Sequence, residues 1–279
     1  ISTRDWSSDV CSSDLDAGIT EFCKSFMKRA RVIPVLLLKE KGLYKTVKFK
    51  NERYVGDPIN VVRIFNEKQC DELIILDINA SKYNVPVDFR YIEEVSSECF
   101  MPLAYGGGIN KLEEIERLLC IGIEKVILNS VLLKNPVFLE EAAKKFGSST
   151  IVASVDVKTN IFKQYQVYSH AGISLNNKSL NSFVKQIEDG GAGELMINSV
   201  DCDGMMTGYD LQLAEKISKE LTIPIIFCGG CKDLTDVKNL LTKTETSAAA
   251  AGSFFVFKGP HKGVLISYPS PEEIESIYN

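Results

Sequence analysis

Histidine is almost missing from this chain of 279 residues, with only His170 and His261 present. Neither stands in the clustered His/Cys spacing that a zinc site requires, so the sequence predicts no metal site and no cofactor. Positive charge is not in excess either: 32 Lys and Arg face 37 Asp and Glu, for a net charge of −5. That balance excludes the basic face with which proteins neutralise nucleic-acid phosphates. No apolar run approaches the roughly 18–20 residues of a membrane span, and the stretch before residue 30, with Asp5, Asp9, Asp14 and Asp16, has no signal-type apolar core. The expectation is a cytoplasmic protein with no nucleic-acid and no membrane partner.

Tryptophan occurs once, at Trp6, inside a segment (5–15) that resembles the conceptual translation of a sequencing-library adapter. Residues 1–26 are therefore expected to be a non-native leader, with Met27 as the start and 27–279 forming a single barrel domain. The eight cysteines fall mostly on apolar stretches of a chain large enough to need no disulfides, which predicts reduced thiols. Cys228-Gly-Gly-Cys231 has dithiol or half-zinc spacing, but no second ligand pair accompanies it.

What is present is an internal repeat. Segments 31–130 and 150–253 are approximate copies. Asp71-Glu72-Leu73 and Leu76-Asp77 recur as Gly193-Glu194-Leu195 and Asn198-Ser199. Pro102, Gly107 and Gly108 recur, at the same separation, as Pro224, Gly229 and Gly230, and Asn129-Ser130 recurs as Ala251-Gly252. The symmetry breaks in the first strand of each half. Val155-Asp156-Val157-Lys158 is matched by Leu36-Leu37-Leu38-Lys39, so a carboxylate in one copy is a leucine in the other.

Apolar runs of strand length alternate with helix-period stretches, the pattern of a parallel sheet covered by helices. Strands are predicted at 32–37, 73–77, 103–105, 126–128, 151–156, 194–198, 225–228 and 248–251, and helices at 59–69, 111–120, 136–145, 180–189, 210–220, 234–241 and 271–277. The alternating segment 164–170 predicts a small rim hairpin. Eight βα units in two sets of four imply a (β/α)8 TIM barrel built from two duplicated half-barrels rather than a doubly wound open sheet.

In such barrels the chemistry sits where strands end. Gly107 and Gly108 follow the third strand, Asn129 and Ser130 the fourth, Gly229 and Gly230 the seventh, Gly252 and Ser253 the eighth. Small residues there let backbone N–H groups approach an anion, which predicts two phosphate cradles on opposite sides of one rim and a phosphorylated small-molecule ligand.

Arg31-Val-Ile-Pro34, Gly56-Asp57-Pro58, Leu76-Asp77-Ile78, Gly106-Gly-Gly-Ile109, Lys125-Val126, Gly193-Glu194 and Asp201-Cys-Asp-Gly204 with Gly208-Tyr209-Asp210 closely resemble the cyclase subunit of imidazole glycerol phosphate synthase. The resemblance runs from about Arg31 to Phe257. It implies a heterodimer with a glutaminase subunit whose ammonia rises through the barrel, a charged gate of Arg31, Glu72, Lys125 and Glu194 at the bottom, and Gly204 among the phosphate-binding positions. It also implies an acid and a base on opposite sides of the cavity. Asp156 matches one, and Leu37 stands where the other belongs. Lys45 fits the family's flexible-loop lysine, and Asp77 and Asp203 keep rim carboxylates that could rescue the lost group.

Tyr54-Val-Gly-Asp-Pro58, Glu98-Cys-Phe-Met-Pro102 and the tail Phe257-Lys-Gly-Pro-His-Lys-Gly-Val-Leu-Ile-Ser-Tyr-Pro269, which contains His261, resemble a divergent branch associated with acetamidino modification of surface sugars. That resemblance implies ammonia relayed to a sugar amidotransferase. The alternatives are a working cyclase of histidine biosynthesis, and a catalytically silent scaffold that activates a glutaminase. Loss of one acid/base group costs about 10² to 10⁴ in rate, which sets the relay ahead of the cyclase.

Overall fold

A computed structural model describes residues 30–169 and 179–277. The adapter-like segment 1–26 and His170 lie outside the described residues. Eleven strands belong to the main sheet: β1 (Arg31–Lys39), β2 (Gly42–Val47), β3 (Lys50–Gly56), β4 (Leu73–Asp77), β5 (Leu103–Gly106), β6 (Lys125–Leu128), β7 (Ile151–Thr159), β8 (Tyr165–Tyr168), β9 (Glu194–Ser199), β10 (Ile225–Cys228) and β11 (Ala248–Ala251). Strands β1, β4, β5, β6, β7, β9, β10 and β11 pair in parallel in that order, and β11 returns to β1, so the ring is closed. The fold is a (β/α)8 barrel.

The helices form where the periodicity placed them. Asp57 accepts a hydrogen bond from the Asn60 N–H and starts α1 (Pro58–Glu67), whose Pro58, Val61, Val62 and Phe65 are buried at i, i+3, i+4, i+7 spacing. Further along lie α2 (Ala80–Tyr83), α3 (Phe89–Ser97), α4 (Leu112–Cys120), α5 (Ser130–Lys134), α6 (Val137–Phe146), α7 (Leu180–Asp189), α8 (Leu211–Ser218), α9 (Leu234–Lys243), α10 (Ser253–Val256) and α11 (Pro271–Glu275). The sequence reading lacked α3, although Asp88 caps it through the Tyr91 N–H and Tyr91, Ile92 and Val95 form its buried stripe. It also lacked the short α2, α5 and α10, which are too brief for a period to register.

The strands have two buried faces. Outward residues such as Leu36, Leu73, Tyr105 and Phe227 join the helices in one large cluster, while Ile33, Val35, Ile74, Ala104, Ile127, Val152, Met196, Ile226, Cys228, Ala248 and Ala250 fill the barrel interior. Continuous apolar strands are what burial on both faces requires.

Strands β1 and β7 run past the ring, and each carries an antiparallel ribbon: β2 and then β3 on β1, and β8 on β7. The predicted rim hairpin is the β7–β8 pair. The β2–β3 ribbon was not anticipated, because Lys39 to Gly56 is too polar to read as a strand pair. The duplication persists in the pairing: Leu37 faces Tyr44 across its ribbon and Leu76 on the adjacent barrel strand, while Asp156 faces Tyr168 across its ribbon and Asn198 on the adjacent barrel strand. Leu37 and Asp156 are thus structurally equivalent positions, as are Leu76 and Asn198.

Candidate functional site

Side chains alternate along a strand, so residues two apart share a face. Arg31, Ile33, Val35 and Leu37 on β1 therefore point the same way. So do Glu72, Ile74 and Leu76 along β4, Lys125, Ile127 and Asn129 along β6, and Glu194, Met196 and Asn198 along β9. Because the central members of each series fill the barrel interior, their first members lie at the bottom and their last at the top. At roughly 3.3 Å per residue, the step from Arg31 to Leu37 spans about 20 Å.

The bottom layer is a closed ring of ions. Arg31 lies 2.5 Å from Glu72 Oε2 and 3.0 Å from Glu194 Oε1, and Lys125 Nζ lies 3.1 Å from Glu72 Oε2 and 3.2 Å from Glu194 Oε1. All four residues of the proposed gate are brought together. Burial alone would lower the Arg31 pKa, but Glu194 and Glu72 outweigh it and the guanidinium is held above its ordinary value. Glu194 Oε2 is buried with no hydrogen-bond partner.

The top layer opens into a cleft of about 600 Å³ whose lining includes Leu37, Leu76, Asp77, Gly107, Gly108, Asn129, Ser130, Asp156 and Asn198. The cleft thus gathers the first of the two predicted cradles. Gly107 adopts φ +130°, and a Cβ on it would meet the Asp77 carbonyl oxygen at 2.6 Å, so a side chain is excluded on both counts.

Asp156 sits in the cleft wall, where Asn129 Nδ2 donates to Oδ2 at 3.0 Å and Asn198 Nδ2 donates to Oδ1 at 3.4 Å. Burial pushes its pKa up to about 7; the two amide donors oppose that, and the Asp203 charge adds to it. Near neutrality such a carboxyl can both give and accept a proton. The equivalent position, Leu37, offers neither. Asp77 lines the cleft, but its Oδ1 accepts from the Asn79 and Ala80 N–H groups at 2.9 and 3.0 Å. Burial raises its pKa against those two bonds. Glu52, missed in the sequence, also lines the cleft and is paired with Lys39 at 2.5 Å.

The second set of small residues, Gly204, Gly229, Gly230, Gly252 and Ser253, does not line this cleft. The β2–β3 ribbon lies against part of it. Thr46 Oγ1 donates to Asp203 Oδ2 at 2.9 Å, the Lys48 N–H donates to the Asp203 carbonyl at 2.9 Å, and Gly204 abuts the backbone of Thr46. Asp203 acts here as a clasp, and burial raises its pKa above the ordinary value.

Lys45 corrects one expectation: it belongs to strand β2, not to a flexible loop. Its side chain is buried at 6% exposure, its Nζ donates to the Val35 carbonyl at 2.5 Å, and it rests against Gly252. Burial lowers its pKa to about 8, with Asp203 and Cys228 pulling the other way.

Cys228 and Cys231 are free, buried thiols, each pushed up to about 12 by burial. Cys228 joins the barrel interior while Cys231 packs with the helices, so the two side chains do not form a common dithiol site. Among the described residues no cluster of His, Cys, Asp and Glu could hold a metal ion, and no helix is long and apolar enough to cross a membrane. His261 is exposed, in the turn between β12 (Phe257–Lys258) and β13 (Gly263–Val264), and does not line the cleft. Asn198 is the principal omission of the sequence reading. Its signal was its place two residues beyond Met196 on the inward face.

The family model described as histidine biosynthesis protein matches residues 31–261. A relative from Leptospira borgpetersenii, named "Putative imidazole glycerol phosphate synthase subunit HisF", is 45% identical over 253 residues, covering 90% of this chain and 100% of its own length. Another from Pseudomonas aeruginosa, named "Putative imidazole glycerol phosphate synthase subunit hisF2", is 46% identical over 249 residues, with coverage of 89% and 99%. "Imidazole glycerol phosphate synthase subunit HisF" of Bacillus cereus (strain Q1) is 35% identical over 229 residues, with coverage of 82% and 91%.

Proposed function

This chain belongs to the histidine biosynthesis protein family, and from that premise we propose that it is the barrel subunit of a glutamine amidotransferase complex, relaying ammonia rather than closing an imidazole ring. A glutaminase partner docks at the charged end and releases ammonia beneath Arg31, Glu72, Lys125 and Glu194. The ammonia passes through the apolar interior and leaves at the cleft, for amidination of a sugar used in surface polysaccharide by a separate sugar amidotransferase. Gly107, Gly108, Asn129 and Ser130 hold a phosphorylated ligand at that end.

The observation that carries this reading is the pairing of a complete ionic ring below with an incomplete acid/base pair above. Four buried or half-buried charges stabilise a fold less well than apolar packing would, which favours a functional reason for the ring. Above it, Asp156 faces a cleft in which Leu37 has replaced the second proton carrier. The other carboxylates there are already engaged, Asp77 and Glu114 with backbone N–H groups and Glu52 with Lys39.

The test is glutamine-dependent amidine formation in the assembled complex, set against free ammonia leaking to solvent. Glu194→Ala is expected to release ammonia without delivering it, and unchanged delivery would defeat the relay. The cyclase reading is tested separately, with purified barrel, ammonium salt and the phosphoribulosyl formimino carboxamide ribonucleotide. Wild type is expected to be inactive and Leu37→Asp to gain about 10² or more in rate; robust wild-type turnover would replace the relay with the cyclase.

A further inference from the structure

Several large apolar side chains stand in water at the open end of the barrel. The β7–β8 ribbon has Asp156 at its base, and at roughly 3.3 Å per residue its strands climb about 10 Å from there to Thr159. At the tip beyond, Ile161 is 91% exposed and Phe162 is 76% exposed. Hydrogen bonds fix that tip. Asn160 Oδ1 accepts from the Phe162 and Gln164 N–H groups, both at 2.9 Å, the Asn160 N–H donates to the Gln164 carbonyl at 3.0 Å, and the Lys163 N–H donates to the Asn160 carbonyl at 3.0 Å. Met205, also exposed, lies in the loop after the neighbouring strand β9. Tyr83 and Val85, exposed as well, follow β4 on the opposite side of the ring, and Val85 lines the cleft. Apolar groups thus flank the mouth of the cleft on two sides. Phe100, 85% exposed, stands instead on the loop entering β5, at the charged end.

Positive charge accompanies them. Lys82, Lys158 and Lys163 are exposed on the same segments. The neighbouring acids are engaged: Asp201 accepts from the Thr159 N–H at 2.7 Å, Asp203 from the Thr46 hydroxyl at 2.9 Å and Asp210 from the Tyr165 hydroxyl at 2.9 Å.

We propose that this rim is the docking surface for the ammonia-consuming enzyme, a partner whose matching face is apolar with an acidic border, and that Ile161 and Phe162 anchor it. The inference rests on the relay reading and supplies what that reading requires. Ammonia released into bulk water is protonated and diluted, so a separate enzyme receives it intact only when seated over the mouth. Two adjacent apolar side chains on a backbone already fixed by hydrogen bonds lose little freedom on burial, the condition for concentrated binding energy. A second copy of this chain fits worse. In a two-fold, face-to-face pair the patch meets itself, and the three lysines oppose one another while the neighbouring acids are already engaged. A lipid surface would take the apolar tip and the lysines, but it offers ammonia no acceptor.

The experiment assembles the full barrel with its glutaminase and the sugar amidotransferase, and supplies unlabelled glutamine against an excess of nitrogen-15 ammonium chloride. With wild type the amidine nitrogen is expected to come from glutamine. The double variant Ile161→Ser with Phe162→Ser is expected to bind the amidotransferase about 30-fold or more weakly by titration calorimetry. Its amidine nitrogen should come increasingly from the labelled pool, while glutamine hydrolysis and glutaminase binding stay unchanged. Asn160→Ala frees the tip and should weaken amidotransferase binding by a smaller factor. Equal affinity and equal labelling in the folded serine variant would overturn the docking surface. So would a serine variant that loses only self-association of the barrel, or only binding to vesicles of phosphatidylglycerol and phosphatidylcholine, with amidotransferase affinity intact. If wild type binds the amidotransferase and the serine variant does not, yet the wild-type amidine nitrogen comes from ammonium, the docking surface stands and the relay reading falls.

Discussion

Removing Glu72 should damage the fold more than removing its whole ion pair. Its side chain is 3% exposed and accepts from Arg31 Nη1 at 2.5 Å and from Lys125 Nζ at 3.1 Å through both oxygens. Glu72→Ala leaves two partly buried cations with only Glu194 between them. Breaking a buried pair from one side costs about 3–5 kcal/mol. In a domain of this size each kcal/mol lowers the melting midpoint by about 2–4 °C, so a loss of about 10 °C is expected by scanning calorimetry. Replacing both members, Glu72→Leu with Lys125→Met, leaves the Arg31–Glu194 contact at 3.0 Å as a neutral pair. Apolar replacement of that kind is often neutral or stabilising, so the double variant should recover most of the midpoint. Loss of ammonia delivery in a double variant of near-native stability would then separate the ring's function from its energetics. A Glu72→Ala midpoint within about 2 °C of wild type, or a double variant as unstable as the single, would refute the reasoning.

Three further outcomes follow from the same geometry. Asp156 has a folded pKa near 7, above its unfolded value, so its contribution is present at acid pH and is lost as pH rises through 7. Asp156→Asn should therefore match wild type near pH 4 and exceed it at pH 8 by about 1–2 kcal/mol, after allowance for solvent in the cleft; urea unfolding at the two pH values checks this, and a gain confined to acid pH contradicts it. Gly107→Ala would set a Cβ 2.6 Å from the Asp77 carbonyl oxygen at φ +130°. The expected cost is about 2 kcal/mol or more, read by calorimetry with weakened binding of inorganic phosphate, and an unchanged midpoint would count against that close approach. The Tyr268 hydroxyl donates to the Val32 carbonyl at 2.8 Å and ties the C-terminal segment to the foot of β1. Tyr268→Phe should cost about 1 kcal/mol, lowering the midpoint by about 2–4 °C.

Much of this protein could be read from one dimension. The duplication, the eight strands, the period-2 placement of Arg31, Glu72, Lys125 and Glu194 and the substitution of Leu37 for a carboxylate are all local or repeating patterns. Burial on two faces writes itself into sequence as unbroken apolar runs, and the four residues of the ionic ring stood at the first inward position of their strands. What escaped was set by contacts distant in sequence. The β2–β3 ribbon is polar on its outer side and gains its place from Asp203, which lies 157 residues from Thr46. Lys45 is carried into the interior on that ribbon, and nothing in its sequence neighbours marks a lysine destined for burial. Asn198 looked like an ordinary strand end until Asp156, 42 residues away, was placed beside it.

The amino-acid order by itself determined the barrel, its two-fold ancestry and the inventory of charges, because strand alternation and helical period are consequences of backbone geometry that every segment carries within itself. Tertiary structure decided which of those charges meet, which set of strand-end glycines lines the open cleft, and that the buried amide oxygen of Asn198 has no donor. Those outcomes depend on packing between segments far apart in the chain, and no local pattern encodes a distance across the ring.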